Sequence, residues 1–338
     1  MRLRLRAKPL GLLVGAALVF AASSAGRPTA DLRWRQLAHV VGVVDVVGPR
    51  ADGRFVVASH QGLFLLRRDG TATPFARGPG GYVAPAGEPY IALARTKRVP
   101  RAGCSFRRDD VYALEPVGIP GVILIERNGQ ARRLVTFPAG SFPSSIAFDT
   151  VGRFGFRLLV TVLTSSQTKT TLYAIDCAGR TRVVVSGGPK VEGGAEVAPK
   201  TFGAFGGRLV AANEFNGRVY AFNARGRVRV LARPNLPTGQ DLGVESVGFV
   251  PATFTRRGAA YFSDLGAPGS PTQGTDSVLV LSGRQLLGAR VRRGDLLITT
   301  EAGGITLSIR CRSGCVSRRI GRAFDATHGE GHIAFLLR

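Results

Sequence analysis

Several things are scarce in this 338-residue chain: it has one Met, one Trp, four Cys and 22 acidic residues against 46 basic ones. The only lysines are Lys8, Lys97, Lys169, Lys190 and Lys200, so nearly all the positive charge behind a formal net +24 is arginine. No stretch beyond the N-terminus keeps a helical period, which excludes helix bundles and alternating βαβ folds. A G-x-S-x-G elbow, a phosphate-binding glycine loop and a calcium-loop signature are all missing. Their absence removes the usual grounds for a serine hydrolase, a nucleotide-hydrolysing enzyme or an EF-hand. The arginines are scattered in runs no longer than two, without the aromatic interleaving of a single-strand platform. Nucleic acid is therefore not an expected partner. The bias reads as solvated strand faces, with polyanion or cell-surface binding as a third functional reading.

The N-terminus has the features of an export signal. Arg2, Arg4, Arg6 and Lys8 precede the apolar run Leu10–Ala22, and Ser23-Ser24-Ala25 offers small residues for cleavage after Ala25. At 13 residues that run falls short of the about 20 a membrane helix needs. The expectation is a signal at 1–25, cleaved or retained as an anchor, and one domain at 26–338 that is secreted, periplasmic or at the cell surface. Once the signal is removed, no stable membrane span is left. Export favours disulfides. Cys311 and Cys315 flank Arg312-Ser313-Gly314 between two strand-like runs, and a three-residue loop with Gly314 left-handed brings their sulfurs into bridging range. Cys104 and Cys177 then pair by elimination or stay free and buried. A four-cysteine zinc site lacks its second closely spaced pair.

What the chain has in abundance is short alternating runs and tight turns, with Gly 45 and Pro 19. The clearest unit is Gly206–Ala232, GGRLVAANEFNGRVYAFNARGRVRVLA, whose runs Arg208–Ala212, Gly217–Asn223 and Arg227–Ala232 are separated by Asn/Gly turns. Alternation over four to eight residues predicts half-buried strands, and such a meander needs neighbours of its own kind to bury its apolar faces. Val43–Ala76 supplies four strands with turns at Asp52-Gly53, His60–Gly62 and Asp69-Gly70, one propeller blade. Further units open near Glu88 (interrupted by Arg95–Arg108), at Phe142–Asp149, at Val191-Glu192, and at Gly243–Val250. The Gly243–Val250 unit passes AAYFSDLG and the Gly266–Thr275 excursion to SVLVLSG, and a sixth unit starts at Asp295. The openings Asp45, Glu88, Ser145, Glu192, Glu245 and Asp295 lie about 43 to 57 residues apart. This spacing predicts an all-β, single β-propeller of six blades, or seven if the tail forms its own. Arg33–Val40, with Trp34 packed on it, completes the last blade, and FDATHGEGHIAFLL reaches back to the first. His39 and His60 read as structural.

The fourth and fifth units, VEGGAEVAPKTFGAFGGRLVAANEFNGRVYAF and VESVGFVPATFTRRGAAYFSD, resemble the repeat of a six-bladed propeller superfamily. That superfamily includes senescence marker protein 30, gluconolactonase and NHL-repeat proteins. The resemblance implies one divalent cation, calcium first, in the central channel, held by Asp45, Glu192, Asn213, Glu245 and Asp264. The family's Pro-Asn-Gly openings are missing, and Ser144 and Ser145 stand at one such site. Independently of the family, blade openings lie on inner strands that converge on the axis, and carboxylates there suit a hard cation. Glu88, another blade opening, and His328, Glu330 and His332 of HGEGH are further channel-mouth candidates; positions four apart on a strand share a face, so both histidines could reach one metal. The leading functional expectation is a monomeric module binding a small molecule or protein at the channel mouth. The alternative is a metal-dependent hydrolase of lactones or related esters.

Overall fold

A computed structural model describes residues 32–338; the expected signal at 1–25 lies outside the described residues. Almost all regular structure is β, and among the described residues no helix is long and apolar enough to cross a membrane. The first strands, β1 (Leu32–Arg33) and β2 (Arg35–His39), join sheets made of strands near the far end of the chain. β3 (Val43–Val47), β4 (Phe55–Ser59), β5 (Gly62–Leu66) and β6 (Ala72–Phe75) form a four-stranded antiparallel sheet. β7 (Ile91–Leu93) follows, then an inserted hairpin of β8 (Lys97–Val99) and β9 (Cys104–Phe106). The second sheet is completed by β10 (Val111–Glu115), β11 (Gly121–Ile125) and β12 (Ala131–Thr136). β13 (Phe142–Phe148), β14 (Leu158–Leu163), β15 (Lys169–Ile175) and β16 (Thr181–Pro189) make the third. The fourth contains β17 (Glu192–Val197), β18 (Leu209–Asn213), β19 (Arg218–Phe222) and β20 (Val228–Ala232).

Local chemistry explains the tight turns between these strands. At Asp52-Gly53, Asp69-Gly70 and Asn128-Gly129 the glycine sits at φ 82, 91 and 95°. The preceding Asp or Asn accepts the N–H two residues on, from Arg54, Thr71 and Gln130. Glycine takes that conformation without strain, and the side chain substitutes for a backbone acceptor.

The remaining strands are β21 (Val244–Phe249), β22 (Ala259–Asp264), β23 (Ser277–Ser282), β24 (Leu296–Thr300), β25 (Thr306–Cys311), β26 (Cys315–Arg322) and β27 (Gly329–Leu336). They share a nine-stranded sheet in the order β1-β26-β25-β24-β21-β27-β22-β23-β2. Between β21 and β27 that sheet narrows to one parallel pair, Val247 opposite His332. The fifth and sixth units predicted above are corrected here, because their strands interleave. Val244–Phe249 pairs with Leu296–Thr300, whereas Ala259–Asp264 and Ser277–Ser282 pair with each other and with the C-terminal strand and β2. The segment between Phe249 and Ala259 carries the chain from one unit to the next. Both flanking runs are apolar, so their pattern names no partner. Asp295 therefore opens no unit; it precedes a second strand and binds Arg310 and Ser308.

The ring closes as the N-terminal run predicts. β2 is the outer partner of β23, while β1 pairs with β26. Trp34 between them is 1% exposed, donates from its indole to Thr306 and packs edge-on against Phe262. Inner strands β3, β7, β13, β17, β21 and β27 contact one another in that order and back to β3. The molecule is a β-propeller, with apolar clusters between adjacent sheets.

Both disulfides are present. Cys311 and Cys315 are paired residues of the β25–β26 hairpin, although Gly314 lies outside the left-handed region. Cys104–Cys177 ties the β8–β9 insertion to the turn after β15 of the next sheet. Their sequence separations, 73 and 4 residues, imply different effects on the unfolded chain. Replacing Cys104 and Cys177 by serine is expected to cost about 4 kcal/mol, and the 311–315 pair about 2 kcal/mol. Urea unfolding of the two double variants measures the contrast; equal losses would contradict it.

Candidate functional site

Five of the six inner strands are bulged near their start. The ladder slips at Val43/Asp45, Pro143/Ser145, Glu192/Ala195 and Val244/Ser246, and in β27 between the partners of Tyr261 and Ser263. A bulge inserts a residue and re-aims side chains. Here it turns strand-opening carboxylates into the end of the channel, and glycine makes room for them. A Cβ on Gly193 (φ 76°) would collide with Glu245 Oε1.

The result is a basin lined by seven acids, Glu88, Glu192, Glu214, Asp241, Glu245, Glu301 and Glu330, together with Lys190, Gln167, Gln240 and Phe215. Glu214, Glu245, Glu301 and Glu330 are 6, 2, 4 and 1% exposed. Lys190 lies 3.0 Å from Glu192 and 3.8 Å from Glu214, with its ammonium over the Phe215 ring. One phenol faces three carboxylates: Tyr90 Oη is 2.7 Å from Glu88, 2.7 Å from Glu330 and 3.0 Å from Glu245. A hydroxyl carries a single proton, so it satisfies only one of them at a time. Glu245 Oε2 and Glu301 Oε2 are buried and receive no hydrogen bond from an N–H or hydroxyl group, while Glu301 lies close enough to Glu214 for the two to share a proton.

Acidities follow from this crowding. Burial, then the charges of neighbouring glutamates, pushes Glu245, Glu301 and Glu330 well above the carboxylate range. Glu214 is raised, chiefly by burial. Glu88 is pushed up to about 7, first by burial and then by Glu192. The basin is thus poised to take up positive charge, as protons or as a cation.

Of the residues expected to ligate, the structure brings Glu88, Glu192, Glu245, His328 and Glu330 together here. Three candidates are corrected. Asp45 is fully buried and already satisfied, by the N–H groups of Val46, Ile91 and His332 and by the His332 ring. Asn213 closes its own hairpin, donating to the Lys190 carbonyl and accepting from Asn216 N–H. Asp264 accepts from the His328 backbone and from Thr275. Each of these side chains is already satisfied by groups of the fold itself.

His332 is corrected as well. The β27 bulge, with Gly331 at φ 66°, turns it away from His328. Its Nδ1 meets Asp45 at 2.8 Å, and its Nε2 lies 3.0 Å from the carbonyls of Ile146 and Ala195. Carbonyl and carboxylate oxygens only accept, so both nitrogens donate and the ring is an imidazolium. Burial alone would lower its pKa, but Asp45, Glu196 and the Ile146 carbonyl together outweigh that and raise it. The ring pins β3, β13 and β17 to β27. Its other side faces a recess lined by Val46, Ile91, Ile146, Phe249 and Phe335.

Glu214, Glu301, Tyr90, Lys190 and Asp241 were not singled out from the sequence. Glu214 and Glu301 share one signal: each directly follows a second strand, after LVAAN and LLITT. Tyr90 stands two residues past an opening acid, where alternation makes it look like core.

No family model and no curated protein matches the chain. Solved structures do. A calcium-binding protein, regucalcin, from Agrobacterium tumefaciens aligns with a TM-score of 0.51 at 10% identity, over 90% of this chain and 81% of that one. A glucose dehydrogenase aligns with a TM-score of 0.50 at 14% identity, over 85% and 89%. The periplasmic gluconolactonase of Pseudomonas aeruginosa aligns at 0.43 and 13% identity, over 83% and 68%. At these identities the likeness is one of fold.

Proposed function

We propose that this chain is an exported propeller of six blades that binds a divalent cation, calcium first, in the carboxylate basin and holds a small ligand there. Counting the nine-stranded sheet as two blades joined at the Val247–His332 pair gives the six. The N-terminal signal pattern and the two disulfides support export. The cation reading is carried by one observation: Glu245 and Glu301 each aim an unpartnered buried oxygen into the basin. Glu214, Glu245 and Glu301 offer oxygens within 4.8 Å of one another, a hard donor set that fits calcium. The regucalcin neighbour is itself described as calcium-binding.

Stripped protein titrated with calcium should gain about 2.7 kcal/mol at a hundredfold excess over Kd. That corresponds to a rise in unfolding midpoint of about 4 °C for a domain of this size. No shift and no bound ion after dialysis would sink the proposal. Hydrolysis of lactones or related esters is a second reading, favoured by Glu88. Beside the cation oxygens, a carboxyl pushed to about 7 can give and take a proton at neutral pH. The bound cation would polarise the substrate carbonyl. Chelation and Glu88→Gln should then each abolish turnover of a simple lactone; turnover that survives both removes this reading.

A further inference from the structure

The hydrogen bonds of His328 carry more than a single calcium site. The residue is 4% exposed, and its Nδ1 lies 3.0 Å from the Thr272 carbonyl, an acceptor that fixes the proton on that nitrogen. Its backbone N–H is held by Asp264 at 2.8 Å. Nε2 then faces Glu301 Oε1 and Glu330 Oε1, both 3.3 Å away, a contact that needs either a proton or a cation between them. Without an ion the cluster is held only by protons shared among these groups; with one, the Nε2 lone pair is free to ligate. A ring whose far N–H is donated to a carbonyl while its other nitrogen faces carboxylates has the outer support typical of a metal-bound histidine.

Asp241, Glu301 and His328 offer ligand atoms within 4.8 Å of one another, and Glu301 also belongs to the all-carboxylate group with Glu214 and Glu245. We propose that the basin holds two cations of different chemistry that share Glu301. A hard, calcium-like ion sits on Glu214, Glu245 and Glu301, and a zinc-class ion on Asp241, Glu301 and His328. Three protein ligands leave a fourth position for water or ligand, as in open zinc sites, and the imidazole suits a zinc-class ion where the all-carboxylate group suits calcium. Formal charge points the same way. Fully ionised, as ligation requires, seven acids and one lysine would carry −6, which one divalent ion reduces to −4 and two reduce to −2.

The inference rests on the cation reading above, and equilibrium dialysis with elemental analysis separates the two. Stripped protein is dialysed against calcium alone, zinc alone, and both. The expected result is one calcium, one zinc, and two ions together per chain. His328→Gln should keep its calcium and lose zinc affinity at least about a hundredfold, while Glu301→Gln weakens both. Circular dichroism and the unfolding midpoint confirm that the variants are folded. If zinc only displaces calcium and the total never exceeds one, or if His328→Gln keeps its zinc, the two-ion site is overturned while the calcium site stands. If nothing binds, both fall.

Discussion

Replacing His332 by leucine is expected to destabilise the protein by about 3–5 kcal/mol, the usual effect of removing one partner from a buried ion pair. Asp45 loses its counter-charge, and the carbonyls of Ile146 and Ala195 lose their donor. That is a large share of the about 5–15 kcal/mol that holds a typical domain together. Urea unfolding of His332→Leu, Asp45→Asn and the double variant measures it, with strong coupling between the two sites expected. The pH dependence has a definite sign. The folded pKa of His332 is raised above 6.5, so its contribution is complete below about pH 6.5 and is lost as pH rises through the folded value. Asp45 and Glu196 are the charged groups facing it. Burial, partly offset by the Phe249 N–H, pushes Glu196 to about 7, so ionising it destabilises the fold between pH 4.5 and 7. The His332→Leu variant should lose the decline at the upper end and keep the lower one.

Glu301→Gln should change sign with the cation. Without calcium the substitution replaces a buried, crowded carboxyl by an amide that can donate to the neighbouring carboxylates at any pH, and the protein should gain about 1 kcal/mol. With saturating calcium the wild type gains from binding and the variant does not, so the order reverses. Calcium affinity itself should fall at least about a hundredfold. Thermal unfolding in chelator and in excess calcium reads both effects. A purely structural glutamate would make the variant less stable in both conditions. The inversion therefore distinguishes a site kept under strain for binding from one kept for folding.

The sequence carried the propeller because strand alternation and Asx-Gly turns are local signals. Asp52-Gly53 and Asn128-Gly129 need only their neighbours to become turns. Partner choice is not local, which is why Val244–Phe249 looks as though it should pair with Ala259–Asp264. Closing the ring around a C-terminal inner strand gives those two runs different partners. Site residues divide the same way. Glu192, Glu245 and Glu330 open inner strands and were legible as acids near the axis. Asp45 opens one too, yet its carboxylate is consumed by three backbone N–H groups and an imidazolium. Free and satisfied carboxylates look alike in a sequence. The bulges decide, and no period-2 pattern displays them.

The central claim is that the basin's free carboxylate oxygens exist to hold a divalent cation, and a crystal structure of the calcium-loaded protein tests it most directly. The account predicts an ion about 2.3–2.6 Å from oxygens of Glu214, Glu245 and Glu301. A basin without an ion at saturating calcium, its carboxyls paired to one another through shared protons, would contradict it.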